Sequence, residues 1–269
     1  MAGVTDAVAA VRTDPGSALV AVDFDGTLAP IVARPEDSRP APGAVEALAD
    51  LVAAGVGGVA IVSGRAADEI VTLAGLPATS GIRVLGHYGL QSWQAGSTSS
   101  PAPVEGVERA RALLAGLVAE SAPGVRLEDK THSVAVHTRN AADPSGALEA
   151  LRPRLAEVAA QCGLEAVPGR YVIELRPPGI DKGSALETLA SELGSRTVVY
   201  AGDDLGDLPA YDAIDRLRHE GITGLTVASV DPADHDVPAE VAARADLVLP
   251  GPAAVVAWLA ELAAMLNGG

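Results

Sequence analysis

In the stretch VAVDFDGTLAP, Val20 to Pro30, Asp23 and Asp25 stand one residue apart at the end of an apolar run. Two carboxylates so placed repel each other and lose hydration on burial, so the pair asks for a compensating charge. Other apolar runs also finish on polar groups: GVAIV on Ser63, and TVVYAG on Asp203 and Asp204. In open α/β sheets ligands gather beyond the carboxyl ends of the strands, so these groups are expected to converge although they are far apart in sequence. Converging carboxylates require a cation. A donor set of oxygens alone, without thiolates or clustered imidazoles, favours Mg²⁺, which takes one or two carboxylates, keeps waters and commonly bridges to a phosphate.

With its charge offset in this way, Asp23 suits a nucleophile that forms an aspartyl-phosphate and divides one hard hydrolysis into two displacements. Asp25 is near enough to protonate the departing oxygen and then to take a proton from water. Gly26 lets the chain turn tightly, and the Thr27 hydroxyl is expected to brace that turn. Ser63 offers its hydroxyl and the backbone N–H groups beside it, that of Gly64 included, to phosphoryl oxygens. Lys182 opens the helix-like segment DKGSALETLASELG, where its ammonium and the helix start both stabilise charge gathering on phosphate.

These residues need a frame. ALVAVD, GVAIVS, TVVYAGD and GLTVAS are near-continuous aliphatic runs, the pattern of parallel strands covered on both faces. Between them, APGAVEALADLVAAG and LPAYDAIDRLRHEG read as helices, the first with Pro42 near its start and Gly55 at its end. The alternation predicts a doubly wound, Rossmann-like α/β core with a parallel sheet. QAGSTSSPAPVEG, Gln94 to Gly106, breaks the rhythm and reads as a linker. After it come a helix, strand-like alternation around Val134 and Val136, a second helix, and the extended run YVIELRPPG. Residues 103–178 are therefore expected to form an inserted α+β cap domain between two core parts, 1–102 and 179–269.

Acids outnumber Lys and Arg 35 to 19, for a net charge of −16, which argues against a broad nucleic-acid surface but leaves room for a small phosphorylated ligand in a local cationic pocket. The single cysteine, Cys162, excludes an internal disulfide and a thiolate metal cluster within the chain. The N-terminus lacks the basic start and apolar stretch of a signal peptide, and no apolar run approaches the length of a membrane span, so a cytoplasmic protein without membrane partners is expected.

DFDGT, SGR after a strand, a lysine opening a helix and GDD after another strand resemble the four motifs of the haloacid dehalogenase-like phosphatase superfamily. Within it, DFDGTLAPI, VSGR, GHYGLQ, LEDKTHSVAVHTR, PGRYVIELRPPGIDKGSAL and GDDLGD resemble the trehalose-6-phosphate phosphatase family, in the same order and across nearly the whole chain. The resemblance implies Asp23 as nucleophile, Asp25 as acid and base, and Mg²⁺ held by Asp23, the Asp25 carbonyl and Asp203, supported by Asp204 and Asp207. It implies phosphate or sugar contacts from Ser63, Gly64, Arg65 and Lys182, and a cap that closes over a disaccharide through Glu128, Lys130 and Glu174, with His87, His137 and Arg139 as further candidates. One departure stands out: Gly206 and Leu208 occupy the places where the family carries Thr and Glu.

Other readings fit the same letters. Glu128 with Lys130 also suits a solvated pair beside a strand, and Glu174 with Arg176 a cross-strand salt bridge. His137 and Arg139 suit edge-strand polarity, and His87 a hydrogen-bonded residue near the sheet. His219 and His235 read as surface, and Cys162 as packing. The sequence thus points to hydrolysis of a sugar phosphate, trehalose 6-phosphate first. Sucrose, mannosyl or other small phosphate esters, and a phosphosugar-binding module without turnover, remain as alternatives.

Overall fold

The computed structural model describes residues 2–102, 104–169, 171–231 and 239–267; residue 103, where the cap was expected to begin, and His235 lie outside them. The chain divides into two compact units, one of Met1–Ser100 with Asp181–Gly269 and the other of Pro101–Ile180.

In the larger unit, α1 (Ala2–Thr13) leads into β1 (Ala18–Val22), followed by α2 (Ala44–Ala53), β2 (Gly58–Val62), α3 (Ala67–Ala74), β3 (Arg83–Gly86), β4 (Gln91–Gln94) and β5 (Ser97–Ser99). The smaller unit carries α4 (Glu105–Ala119), β6 (Arg126–Asp129), β7 (Val134–His137), α5 (Pro144–Cys162), β8 (Glu165–Gly169) and β9 (Val172–Arg176). The chain then returns to the larger unit with α6 (Lys182–Leu193), β10 (Thr197–Gly202), α7 (Leu208–His219), β11 (Thr223–Ser229), α8 (Ala239–Arg244), β12 (Leu247–Leu249) and α9 (Gly251–Asn267).

The larger sheet runs β12-β11-β10-β1-β2-β3-β4-β5, parallel from β12 to β3 and antiparallel at β4 and β5. Strand alternation splits each central strand between two layers. Val20 and Val22 of β1 pack with Val59 and Ile61 of β2 beneath α1, α2, α3 and α9. Leu19 and Ala21 pack with Tyr200 on the opposite side, against α6 and α7. Chain order reverses between β1 and β10, whose registers pair Val22 with Ala201. A crevice for ligands is expected where order reverses, and both aspartate-bearing strand ends border it.

The expected linker is corrected in part. Gln94 closes β4 and Ser97–Ser99 forms β5, joined by Ala95 and Gly96 at φ 51° and 82°. Two left-handed residues in a two-residue loop make a tight hairpin whose twist matches its strands. Its polar second strand, at the sheet edge, has the composition of a loop.

The smaller sheet is antiparallel, in the order β6-β7-β9-β8. Val134, Val136, Ile173 and Leu175 share a core with Val107, Leu114, Leu151 and Leu155 of α4 and α5. Period-two alternation therefore sends Ala135, His137 and Glu174 to the sheet's other face.

Candidate active site

The loop after β1 folds back through its own backbone: the N–H groups of Leu28 and Ala29 donate to the Phe24 carbonyl at 2.9 and 2.8 Å, and that of Gly26 to the Ala29 carbonyl at 2.7 Å. Gly26 adopts φ 81°, and a Cβ there would lie 2.0 Å from an Asp203 carboxylate oxygen, so both backbone handedness and close approach demand glycine. Asp23 is 5% exposed. Thr27 donates to Asp203 Oδ1 at 3.0 Å, tying the first strand's loop to the aspartate rather than bracing its own turn. Ser229, at the end of β11, fixes the loop from the other side by donating to the Gly26 carbonyl at 2.7 Å.

Helix α6 starts on a reciprocal cap: Asp181 accepts the Ser184 N–H at 2.8 Å while the Ser184 hydroxyl accepts the Asp181 N–H at 3.1 Å. That start buries Lys182, whose Nζ lies 2.9 Å from Asp23 Oδ1 and 2.7 Å from Asp207 Oδ1. Asp207 is wholly buried. Its Oδ1 accepts from Lys182 and from the Tyr200 hydroxyl at 2.6 Å, and its Oδ2 from the N–H groups of Asp203 and Asp204 at 2.9 and 3.0 Å. Four donors fill the lone pairs of both oxygens, so Asp207 braces the lysine and the loop together.

Carboxylate oxygens of Asp23, Asp203 and Asp207 lie within 4.8 Å of one another. Asp204, expected beside them, stands exposed outside this trio, and its carboxylate accepts the Gly206 N–H at 2.8 Å to cap the next turn. Burial, opposed by the Lys182 ammonium and reinforced by Asp207, pushes the Asp23 carboxyl up to about 8. Burial and the nearby Asp23 push Asp203 up as well. For Asp207, burial works against the charge, yet Lys182 and the hydrogen bonds from Lys182 and Tyr200 outweigh it and hold the carboxyl below its usual range. Lys182 is disfavoured by burial but raised well above the ordinary ammonium range by Asp207 and Asp23. One lysine thus contacts two of three clustered acids. The two acids whose charge is least compensated, Asp23 and Asp203, offer hard oxygens at strand ends, a donor set that fits Mg²⁺.

Beyond β2, Ser63 is 2% exposed and its Oγ accepts the Arg65 N–H at 3.2 Å. A Cβ on Gly64 would meet the Tyr88 hydroxyl at 2.7 Å. His87 and Tyr88, both left-handed, hook against this loop through their N–H groups, His87 donating to the Arg65 carbonyl at 2.8 Å and Tyr88 to that of Ser63 at 2.9 Å. His87 is brought to the site's edge as a buried residue. Arg65 spans Asp25 and Glu69: its Nε donates to Asp25 Oδ2 at 2.6 Å, its Nη2 to Asp25 Oδ1 at 3.0 Å and its Nη1 to Glu69. Ser38 completes the ring around Asp25, donating to Oδ1 at 2.9 Å.

The remaining expected residues belong to the smaller unit. Glu128, Ala135 and Glu174 pair across three strands. Lys130 Nζ lies 3.5 Å from Glu174, which also accepts the Ser133 hydroxyl, and His137 Nε2 lies 2.6 Å from Glu128. Arg176 pairs with Glu165 at 3.0 Å. Arg139 is exposed. The result is a polar row flanking small Ala135, on the face its helices leave.

Sequence reasoning passed over Ser38, Glu69, Tyr200 and Ser229. Ser229 carried a signal, since it ends an aliphatic run as Ser63 does. The other three are ordinary polar residues in a loop, a helix and a strand, and only folding brings them to Asp25, Arg65 and Asp207.

A family model described as trehalose-phosphatase matches residues 21–244. A trehalose-phosphate phosphatase of Mycobacterium marinum is 34% identical over 263 residues, 91% of this chain and 61% of that protein. An uncharacterized glycosyl hydrolase of Mycobacterium tuberculosis is 37% identical over 208 residues, 72% of this chain and 15% of that much longer protein. The chain spans about three fifths of the length of the mycobacterial phosphatase relative and a small part of the hydrolase. Among solved structures, a trehalose-6-phosphate phosphatase related protein aligns with TM-score 0.69 and 25% identity over 93% of this chain and 99% of that one. The C-terminal domain of the Candida albicans trehalose-6-phosphate phosphatase has the same fold, with TM-score 0.75 and 21% identity over 96% of this chain and 95% of that one.

Proposed function

The chain belongs to the trehalose-phosphatase family, and from that premise we propose that it is a Mg²⁺-dependent phosphomonoesterase that hydrolyses trehalose 6-phosphate to trehalose and phosphate. The observation that carries the reading is the contact of buried Lys182 with both Asp23 and Asp207 at the point where strand order reverses.

In the first displacement an Asp23 carboxylate oxygen bonds to phosphorus as the bond from phosphorus to the sugar oxygen breaks, and the Asp25 carboxyl passes its proton to that departing oxygen. In the second, water gives a proton to the Asp25 carboxylate and bonds to phosphorus as the bond to Asp23 breaks. The sum is phosphate ester and water giving alcohol and inorganic phosphate. Lys182 keeps its ammonium against the nucleophile throughout, offsetting charge that would otherwise repel the incoming dianion. Ser63 and the N–H of Gly64 supply donors to phosphoryl oxygens. Asp23, Asp203 and the Asp25 carbonyl are the groups that would hold Mg²⁺, with Asp207 orienting the loop behind them. When bound, the ion supplies positive charge that lets an anionic ester approach an anionic carboxylate.

We assign residues 103–178, within the smaller unit, the role of a cap that selects the leaving group, with Glu128, Lys130 and Glu174 hydrogen-bonding sugar hydroxyls and His137 and Arg139 at its margin; His87, in the larger unit, is a further candidate for substrate contact. Sequestration of the ester from bulk water favours the first displacement over wasteful side reactions. A cytoplasmic site of action is part of the same reading.

Phosphate release from trehalose 6-phosphate is measured with Mg²⁺ and with a chelator, beside sucrose 6-phosphate and mannosyl phosphates. Mg²⁺-dependent release, fastest with trehalose 6-phosphate, is expected. Faster turnover of another ester would move the substrate assignment, which Gly206 and Leu208 leave open to this comparison. No release from any ester would leave a binding module.

A further inference from the structure

We propose that Arg65 is a positioning residue that fixes Asp25 for proton transfer, rather than a ligand of the phosphate or the sugar. The inference deepens the phosphatase reading and rests on it. Three N–H groups of the guanidinium are accounted for: Nε and Nη2 grip the two oxygens of Asp25 at 2.6 and 3.0 Å, and Nη1 reaches Glu69 on the first turn of α3. A planar fork bonded to both oxygens fixes the orientation of a carboxyl in a way that a lysine, a point charge on a flexible stem, does not. The fork itself is held at its root, since the Arg65 N–H is bonded to Ser63 Oγ and its carbonyl accepts from His87.

The donors fall unequally on the two oxygens. Oδ1 of Asp25 receives both Arg65 Nη2 and the buried Ser38 hydroxyl, which fills its lone pairs, while Oδ2 receives Arg65 Nε alone among the described residues. Each carboxylate oxygen accepts two hydrogen bonds. Oδ2 therefore keeps the open position, and it is the atom that carries the proton to the departing ester oxygen and later takes one from water. Asp25 has 29% of its side chain exposed and Arg65 15%, so the acid retains an open side while its anchor is largely enclosed. Glu69 balances the second edge of the guanidinium and keeps it from swinging toward an anion.

An acid that protonates the leaving group matters more as that group becomes a poorer one. The test measures kcat/KM, which reports the phosphoryl-transfer step to Asp23, for p-nitrophenyl, phenyl and benzyl phosphate. These esters resemble one another in size and carry no sugar, but their leaving groups become progressively less acidic. For Arg65→Ala the loss is expected to be about 3-fold on p-nitrophenyl phosphate and to grow to about 10²-fold on benzyl phosphate, within the range that general acid catalysis supplies. Ser38→Ala, which frees Oδ1, is expected to steepen the dependence in the same sense and less. Equal losses on all three esters would make Arg65 a phosphate ligand and overturn the proposal. A loss confined to trehalose 6-phosphate would make it a sugar ligand and overturn it equally.

A double-mutant cycle on trehalose 6-phosphate supplies an independent reading: once Asp25→Asn has removed the proton carrier, adding Arg65→Ala is expected to cost less than 2-fold, because groups acting as one unit are not additive. Additive losses in a cycle whose variants keep the wild-type melting curve would also overturn the assignment. An inactive wild type would instead refute the phosphatase reading, so the two failures are distinguishable.

Discussion

At the scale of single residues, the site divides its acids by what each one touches. Among the described residues, Asp23 meets only Lys182 as a charged partner within hydrogen-bond range, whereas Asp207 is bonded on every lone pair. Asp23→Asn is expected to abolish phosphate release while leaving the circular-dichroism spectrum and the melting transition intact, since the amide keeps the shape of the buried carboxyl; retained turnover would refute its role as nucleophile. Asp207→Ala is expected to do the opposite of a clean knock-out: it strands a buried ammonium, a phenol and two backbone N–H groups, at a cost of about 3–5 kcal/mol read by urea unfolding. A change below about 1 kcal/mol would show that water replaces those bonds. The convergence of Asp23, Lys182 and Asp203 was legible in the sequence because each closes a strand or opens a helix at recognisable spacing. The outward turn of Asp204 and the grip of Ser38 on Asp25 were not, because adjacent letters do not say which way a side chain points.

At the scale of elements, α6 shows how local rules place a reactive group. The reciprocal cap of Asp181 and Ser184 sets where the helix begins, and the beginning of the helix sets where Lys182 is buried. Asp181→Ala is expected to destabilise the protein by about 1 kcal/mol and to lower kcat more than such a loss of stability explains, because the first turn carries the ammonium. Asp181→Asn retains a capping oxygen and is expected to restore most of both; failure of that rescue would separate the cap from the lysine. The strands of the core and the helices α2, α6 and α7 were readable from aliphatic runs and end signals. The β4–β5 hairpin was not: an edge strand of Ser and Thr buries too little to show a pattern, and its pairing comes from a left-handed Ala95–Gly96 turn. In the smaller unit the alternation of Val134 and Val136 gave the sheet, while the Arg176 partner depended on strand order that no local signal carries.

At the scale of the whole molecule, clustered acids link stability to pH and to metal. The folded Asp23 carboxyl sits at about 8 against 3.8 for an unperturbed aspartate, so the folded state holds an extra proton between those values and metal-free stability falls as pH rises through them. Mg²⁺ held by Asp23 as proposed would compete with that proton, so the rise in Tm on adding Mg²⁺ is expected to be larger at pH 8 than at pH 5, and Asp23→Asn is expected to flatten the difference. A metal effect independent of pH would place the ion elsewhere. None of the described helices is long and apolar enough to cross a membrane.

The insertion of the smaller unit between β5 and α6 also sets a timetable. Asp23 belongs to the first stretch of core, whereas Lys182, Asp203 and Asp207 belong to the last, and the Thr27–Asp203 bond closes a loop of 176 residues. A chain emerging from the ribosome therefore exposes Asp23 long before the lysine that matches it exists. Contacts so distant along the chain form slowly, and under the proposed mechanism a product truncated anywhere before α6 is expected to release no phosphate. On that reading, synthesis to near completion is the condition for turnover.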